Sequence, residues 1–295
     1  MTKCFLQAVL ALTLFLVTSS RAAPLEVIDL MYTLDEGAIG WPVHPPYNFS
    51  IVQRGIDPHV NNLYLEYNKF NMGEHRGTHA DSPAHFAEGH WRSHEIPPSR
   101  LVGPGVVVDV SAKVRDNPLY KMTMEDVQAW EAANGRIPDG AIFLMNSGWG
   151  ERYPDPQRVF NTDDVTNTST FRYPSISPEV GVFLADERNV TAVGGDSPSP
   201  DSPDSTTPFP NHLKLLFKDI LILENVANVD KLPPSGTLIV IGMIKLHDGS
   251  GGPTRILAIK GLPAPPDGTG GSSGHSASVS AAFIAVLLGA VLKVQ

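Results

Sequence analysis

Short runs of consecutive apolar residues recur through the middle of the chain. Runs of this kind predict buried β-strands, because a strand covered on both faces does not alternate apolar and polar positions. The predicted strands cover residues 106–110, 141–145, 220–223, 237–244 and 255–259.

Helix signals are fewer, and they lie between the predicted strands. A start resembling a capping box at Thr123 and a closing Gly135 predict one helix. Proline at the first helical position after Ser177 predicts a second helix, and residues 210–218 are predicted to form a third. Because the chain also carries 26 prolines, all between residues 23 and 274, the pattern predicts a single, loop-rich α/β domain.

Both ends of the chain are apolar and contain no acidic residue. Residues 1–22 combine a basic start at Lys3, an apolar run and small residues before the end, which is typical of a secretory signal peptide. Residues 268–274 form a Gly/Ser spacer, and the small, apolar tail at 275–295 is typical of a GPI-attachment signal that is removed. A tail-anchored helix is the alternative. We therefore expect a domain over residues 23–267 that is secreted or lies on the extracellular face of the plasma membrane, and that contacts the membrane only through a lipid anchor.

The charge balance limits the partners that this domain can have. The chain has 22 Lys and Arg against 31 Asp and Glu, for a formal net charge of -9, and loss of both ends removes three basic residues and makes it -12. This negative charge argues against a nucleic-acid partner. The single cysteine, Cys4, lies in the signal peptide, so the mature chain has neither a disulfide nor a thiol nucleophile. Sequons at Asn48, Asn167 and Asn189 are predicted glycosylation sites.

The segment His75-Arg-Gly-Thr-His-Ala-Asp-Ser-Pro-Ala-His85 holds three imidazoles and a carboxylate. In an extended strand His79 and Asp81 point to the same face about 6.6 Å apart, and a bend at Gly77 brings the first histidine back toward them. These donors suit a borderline divalent ion such as Zn²⁺. Pro83 cannot donate to a strand ladder, which places the segment at a sheet edge.

The other chemistry-bearing residues give no comparable pattern. The chain contains no H-E-x-x-H helix, no G-x-S-x-G elbow and no Walker loop. A single histidine is more often an ordinary polar residue than a metal ligand. We expect this of the histidines at positions 44, 59, 90, 94 and 247.

The histidine segment resembles the cyclase family, which includes bacterial kynurenine formamidase and isatin hydrolase. Residues 75–85 fill every specified position of the family pattern H-x-G-T-H-x-D-x-P-x-H, and the resemblance extends from about residue 25 to 262. A second block runs from His212 to Glu224-Asn-Val. The resemblance implies a swivelling β/β/α fold and a homodimer.

The resemblance also implies a set of metal ligands. In the formamidases of this family, residues matching His75, His79 and Asp81 bind one zinc ion. Residues matching His212 and Glu224 complete a second site, with Asp81 and Glu224 shared between the two ions. This implies two Zn²⁺ ions per subunit. Relatives of the isatin-hydrolase type use one Mn²⁺, so manganese is the alternative.

The activity implied by the resemblance is that of an arylformamidase, which hydrolyses N-formyl-L-kynurenine to L-kynurenine and formate in tryptophan catabolism with metal-activated water. His85 would donate and accept the proton, and Trp41 would contact the small aryl amide substrate. Trp149 is a further candidate for stacking, and ordinary core packing is the alternative for both tryptophans. One alternative is a hydrolase of an isatin-like cyclic amide. The other is a non-catalytic cell-surface protein that binds metal or ligand, because Val43-His44 replaces the Gly-Asp that usually follows Trp-Pro in this family.

Overall fold

A computed structural model describes residues 25–262 of the chain, and residues 26–260 form one compact unit. The proposed signal peptide, the Gly/Ser spacer and the GPI-attachment signal lie outside the described residues. Every helix between residues 25 and 262 is too short or too polar to span a bilayer.

The described residues form strands and short helices, which alternate only between residues 102 and 224. The strands are β1 (Glu26–Asp29), β2 (Asn48–Asp57), β3 (Leu63–Asn71), β4 (His79–Asp81), β5 (Val102–Asp109), β6 (Lys121–Met122), β7 (Ile142–Asn146), β8 (Ser175–Ile176), β9 (Ala192–Gly195), β10 (Leu221–Glu224), β11 (Thr237–Met243) and β12 (Gly251–Lys260). The α-helices are α1 (Ser111–Asp116), α2 (Met124–Asn134), α3 (Pro156–Phe160), α4 (Pro178–Glu187) and α5 (Pro210–Leu216). Single 3-10 turns cover Pro58–Val60, Pro83–His85, Pro98–Arg100, Trp149–Arg152, Thr168–Thr170 and Val229–Lys231.

The main sheet closes on itself as a barrel. Its strands follow the order β1-β12-β11-β5-β7-β9-β10-β4, and β4 also pairs with β12. The central strands β5, β7, β9 and β10 are parallel to one another, whereas β4, β11 and β12 form antiparallel pairs. Closure is possible because β12 is ten residues long. Its first residues pair with β4 and its last residues pair with β1.

Alternating side chains of the central strands enter two hydrophobic cores. Val107, Leu144 and Leu223 pack with residues of β11 and β12, which places them in the barrel interior. The intervening residues, such as Phe143 and Ile222, pack against the helices on the outer face. Burial on both faces explains why these strands are continuous apolar runs in the sequence.

The α/β fold and the predicted elements are confirmed, with ends that shift by a few residues. The predicted strands correspond to β5, β7, β10, β11 and β12, and the predicted helices to α2, α4 and α5. The expected sheet-edge position of residues 75–85 is wrong, because β4 is paired on both sides. This strand ends at Asp81, before Pro83, so the missing N–H of the proline costs no ladder hydrogen bond.

Candidate metal centre

Two strands of the barrel place three of the candidate ligands on one face. Glu224 lies directly opposite His79 in the antiparallel pair of β10 and β4, so their side chains are neighbours. Asp81 lies two residues further along β4 and points to the same side. Ala80 and Leu223 fill the barrel interior from the opposite face. The hydrophobic alternation of these strands therefore directs the polar side chains outward, toward the helices.

Two glycines bring His75 to these ligands. Gly77 has a φ of +66°, a left-handed conformation that turns the chain between His75 and β4. At Gly251, a Cβ atom would lie only 2.5 Å from Cε1 of His75. The imidazole therefore packs directly against the backbone of β12, which leaves no room for a side chain at that position.

His212 enters the site from the first turn of α5, and Asp201 fixes it there. The Asp201 carboxylate accepts the backbone N–H groups of Asn211 (2.6 Å) and His212 (3.2 Å). It also accepts the Nδ1–H of the His212 ring at 2.7 Å. The loop before α5 thus sets both the start of the helix and the orientation of the imidazole.

In the neutral forms of His79 and His212, the hydrogen bonds place the proton on Nδ1 and leave the lone pair of each ring on Nε2. His79 Nδ1 lies 3.0 Å from the carbonyl oxygen of Gly77, which can only accept, so Nδ1 carries the proton. His79 Nε2 then faces Asp81 Oδ1 and Glu224 Oε2, both at 3.4 Å. His212 Nε2 faces the other two carboxylate oxygens, Asp81 Oδ2 at 3.3 Å and Glu224 Oε1 at 3.5 Å. Each carboxylate therefore lies between the two imidazoles.

A chain of hydrogen bonds from Glu74 through Ser250 determines which nitrogen of His75 carries the proton. Ser250 Oγ donates to Glu74 Oε2 at 2.7 Å, so it accepts from His75 Nε2 at 2.9 Å. The lone pair of His75 is then on Nδ1, which lies 2.6 Å from Asp81 Oδ1. Two lone pairs at this distance require a proton or a metal ion to hold them together.

The site concentrates buried negative charge. Burial alone would lower the pKa of His212, but Asp201, Asp81 and Glu224 raise it to about 10. Burial likewise opposes protonation of His79, whose pKa Asp81 and Glu224 raise to about 8. Burial and the charge of Asp81 raise the pKa of Glu224. Burial would also raise the pKa of Asp81, but His75 and the other imidazoles outweigh it and hold that pKa well below its usual range. A divalent ion would displace the imidazole protons, so metal uptake is favoured as pH rises.

The donors fit a divalent metal ion. His79 Nε2 and Asp81 Oδ2 are buried polar atoms without a hydrogen-bond partner among the described residues. Tetrahedral zinc with nitrogen and oxygen ligands at 2.0–2.1 Å requires ligand atoms about 3.3 Å apart. The contacts of 3.3–3.5 Å from His79 and His212 to Asp81 and Glu224 match this separation. The structure thus brings together the five predicted ligands.

His85 lies beside this cluster. Its ring stacks on that of His75, with centroids 3.9 Å apart and planes inclined by 23°. Burial, the largest effect, lowers the pKa of His85 to about 4, so the ring is neutral at pH 7. It lines a cavity of about 400 Å³ that also receives His75, Asp81, His212 and Glu224.

Aromatic side chains form much of the wall of this cavity. Trp41 lines it and also packs on Phe171 at 5.5 Å between ring centroids, so it serves the cavity and the core together. Phe86 and Phe209 extend the apolar wall near His212. Trp149 lines a different cavity and is buried in the core, so the expectation that it stacks on the substrate is wrong.

Four residues of the site carry little or no signal in the sequence. Glu74 and Ser250 are 176 positions apart, and Asp201 lies in a loop rich in proline and serine. The expectation that His44 is an ordinary polar residue is incomplete, because it lines the cavity and contacts the carbonyl of His75 through Nδ1 at 3.1 Å. The departure at Val43-His44 was its only signal.

Replacement of Asp201 with asparagine should weaken metal binding by about 10–100-fold, as is typical when the partner of a ligating histidine is changed. The amide keeps the size of the carboxylate but not the charge that holds the His212 ring. Competition with a chromophoric chelator measures the affinity. Asp204→Asn is the matched control, since Asp204 is exposed on the same loop and pairs with Lys121 at 2.8 Å. Equal affinity of Asp201→Asn and the wild type would remove this role from Asp201.

Comparisons with known proteins agree on one family. The protein-family model described as a putative cyclase matches residues 28–202. Isatin hydrolase of Roseibium aggregatum is 29% identical over 204 residues, which cover 66% of this chain and 75% of that protein. Kynurenine formamidase of Bacillus thuringiensis is 24% identical over 232 residues, which cover 78% of this chain and 95% of that protein. The solved structure of isatin hydrolase A from Ralstonia solanacearum superposes with a TM-score of 0.72 at 30% identity, covering 85% of this chain and 97% of that one.

Proposed function

The chain belongs to the putative cyclase family, and we propose that it is a metal-dependent hydrolase that cleaves a non-peptide C–N bond in an aryl amide. The observation that carries this proposal is the convergence of three imidazole lone pairs on two buried carboxylates. Without a metal ion, protons on the imidazoles would have to separate these lone pairs from the carboxylates, and the spacing of 3.3–3.5 Å, which suits tetrahedral zinc, favours the ion. The named relatives, an isatin hydrolase and a kynurenine formamidase, are both hydrolases by name.

The proposed cofactor is Zn²⁺ at two ions per subunit, with Mn²⁺ as the alternative. His75 and His79 would hold one ion and His212 the other. Asp81 and Glu224 would bridge them, since each presents one oxygen to His79 and the other to His212. A bound ion of this kind lowers the pKa of water toward neutrality and polarises a carbonyl oxygen.

The side chains around the cluster supply proton transfer and substrate orientation. The neutral ring of His85 can accept a proton from the attacking water and return it to the amide nitrogen as the C–N bond breaks. Trp41, Phe86 and Phe209 offer apolar surface to an aryl ring within the cavity. The products are a carboxylate and an amine, in one molecule if the amide is cyclic and in two if it is a formamide.

An isatin-like cyclic amide is the first candidate substrate, because two of the isatin hydrolases, from Roseibium aggregatum and Ralstonia solanacearum, are 29% and 30% identical to this chain, whereas the Bacillus thuringiensis formamidase is 24% identical. N-formyl-L-kynurenine is the second. The placement of Asp81 and Glu224 between two imidazoles favours it, because the resemblance associates the shared carboxylates with the two-zinc formamidases.

The test is hydrolysis of both substrates by protein purified without a polyhistidine tag. The metal is removed with a chelator and then restored as zinc or manganese. We expect one substrate to be converted, with activity lost on chelation and regained on reloading. Conversion of neither by reloaded protein would overturn the substrate proposal. If the reloaded protein bound these ligands without converting them, it would be a binding protein.

We also infer that the protein forms a homodimer through the hairpin of β2 and β3. Phe49, Ile51, Tyr64 and Phe70 are 44%, 53%, 61% and 58% exposed, and they share one face of this hairpin with the Arg54–Glu66 ion pair. A two-stranded hairpin is only marginally stable alone, and apolar patches of this kind are typical of interfaces. A second copy of the chain is the partner that is always present.

Sedimentation analysis should give a mass twice that of the chain. Phe70→Lys should shift the sedimenting species toward the monomer.

The proposed location is the extracellular face of the plasma membrane, or the medium, with glycans on the chain. The three sequon asparagines, Asn48, Asn167 and Asn189, are all exposed, which supports their modification. Release of the cell-surface protein by a phospholipase specific for GPI tests the anchor. A mobility shift on treatment with an N-glycosidase tests the glycans, and the absence of either effect would contradict the corresponding proposal.

A further inference from the structure

Two histidines that the sequence suggests are ordinary polar residues lie side by side on the surface, apart from the metal centre. The ring centroids of His94 and His247 are 4.6 Å apart. The carboxylate of Asp248 lies against the second of them, with Oδ2 at 3.2 Å from Nδ1 of His247. One donor atom from each of the three residues lies within 4.8 Å of the others. We name this group the surface triad.

Backbone contacts hold the two segments of the surface triad together. The backbone N–H of Asp248 donates to His94 Nδ1 at 3.2 Å, and Arg92 Nη1 donates to the Asp248 carbonyl at 2.9 Å. The backbone N–H of the neighbouring Ser93 donates to the carbonyl of Gly249 at 2.9 Å. Segments that are more than 150 residues apart in the chain are therefore fixed next to each other before any ion binds.

Each member of the surface triad has electrons available for a cation. His94 Nδ1 accepts the backbone N–H of Asp248, so its lone pair faces Asp248, and a bound ion would replace this hydrogen bond. His247 Nδ1 can donate to Asp248 Oδ2, which leaves a lone pair on His247 Nε2. Asp248 Oδ1 lies 3.9 Å from Arg92 Nε, so part of the carboxylate charge is compensated there. With the side chains of His247 and Asp248 81% and 68% exposed, water completes the coordination of any bound ion.

We propose that His94, His247 and Asp248 form a second metal site that binds a divalent ion of the zinc, copper or nickel type. Two imidazoles and one carboxylate match the donor preference of these ions, whereas magnesium and calcium prefer oxygen alone. Exposure and the nearby Arg92 make this site weaker than the buried centre. The ion would clip the loop around Ser93 to the loop that precedes β12. This proposal does not depend on the reaction that the protein catalyses.

Calorimetric titration of the zinc-loaded, tag-free protein with further zinc tests the proposal. The wild type is expected to bind one additional, weaker zinc per chain. The double variant His94→Ala/His247→Ala should lose this event and keep the metal content of the buried centre. His59→Ala, which removes an exposed histidine from the hairpin turn, should bind as the wild type does.

A second measurement separates ligation from a general loss of stability. Cu²⁺ added to the zinc-loaded wild type should give an electron paramagnetic resonance spectrum with coupling to two imidazole nitrogens, and the double variant should not. Thermal unfolding of both proteins before the titration shows whether the variant is folded. Equal zinc binding by the folded double variant and the wild type, or no additional zinc in the wild type, would overturn the proposal.

Discussion

Asp81→Asn is expected to abolish stable metal binding and, with it, hydrolysis. Asp81 Oδ1 faces His75 and His79, and Oδ2 faces His212, so this carboxylate contacts every imidazole of the cluster. Asparagine has the same size, but it replaces one oxygen with an NH₂ group that cannot bind a cation. Changes to outer residues of metal sites cost about 10–100-fold in affinity, and we expect a larger loss for this shared ligand.

The measurements for Asp81→Asn are metal content after gel filtration and the rate of substrate hydrolysis at saturating added zinc. Asp219→Asn is a matched control, because Asp219 Oδ1 also pairs with a histidine, His90, at 2.9 Å, but outside the metal centre. The control should keep its metal and its rate. Full metal content in Asp81→Asn would show that the cluster does not need Asp81 to bind metal, and this result would contradict the proposed function.

The local part of the metal centre could be predicted from the sequence because strand geometry determines it. The period of two along β4 places His79 and Asp81 on one face, and the left-handed turn at Gly77 returns His75 to them. Both follow from residue type and spacing. Spacing along the segment did not show that β4 is an interior strand. Its second neighbour is β12, a strand far along the chain that is long enough to close the barrel.

The non-local part of the centre could not be predicted from spacing. His212 and Glu224 were identified only by the resemblance, since their distance from β4 along the chain carries no geometric information. Glu74 and Ser250 meet only after β12 has paired with β4. Such residues support the ligands through hydrogen bonds, and serine and glutamate are too common on loops for this role to leave a pattern.

The hairpin of β2 and β3 was missed for a different physical reason. The register between its strands shifts between Ile51 and Gln53, so an extra residue interrupts the alternation of apolar and polar positions in β2. In β3, Leu63, Tyr64 and Tyr67 are exposed although they are apolar or aromatic. A pattern that does not separate a buried face from a solvent face predicts neither a surface strand nor a core strand.

His85→Gln is expected to lower kcat by about 10²–10⁴-fold, the usual contribution of general acid–base catalysis, while the bound metal is retained. Burial lowers the pKa of His85 to about 4, so the wild-type ring is a neutral base at pH 7. Glutamine can donate and accept hydrogen bonds in a similar volume, but it cannot take up a proton in this pH range. The loss should therefore affect the rate of turnover rather than metal content.

The structure also allows a competing role for His85, and the same variant decides between the two. Donor atoms of Asp81, His85 and His212 lie within 4.8 Å of one another, a separation at which His85 could itself bind a metal ion. As a ligand, His85 would be needed for metal affinity, and His85→Gln would lose metal as Asp81→Asn does. As a proton carrier, it would leave metal content unchanged and lose only kcat. The ring of His85 stacks face to face on that of His75, whereas His79 and His212 each direct Nε2 at both carboxylates. This difference favours the second outcome.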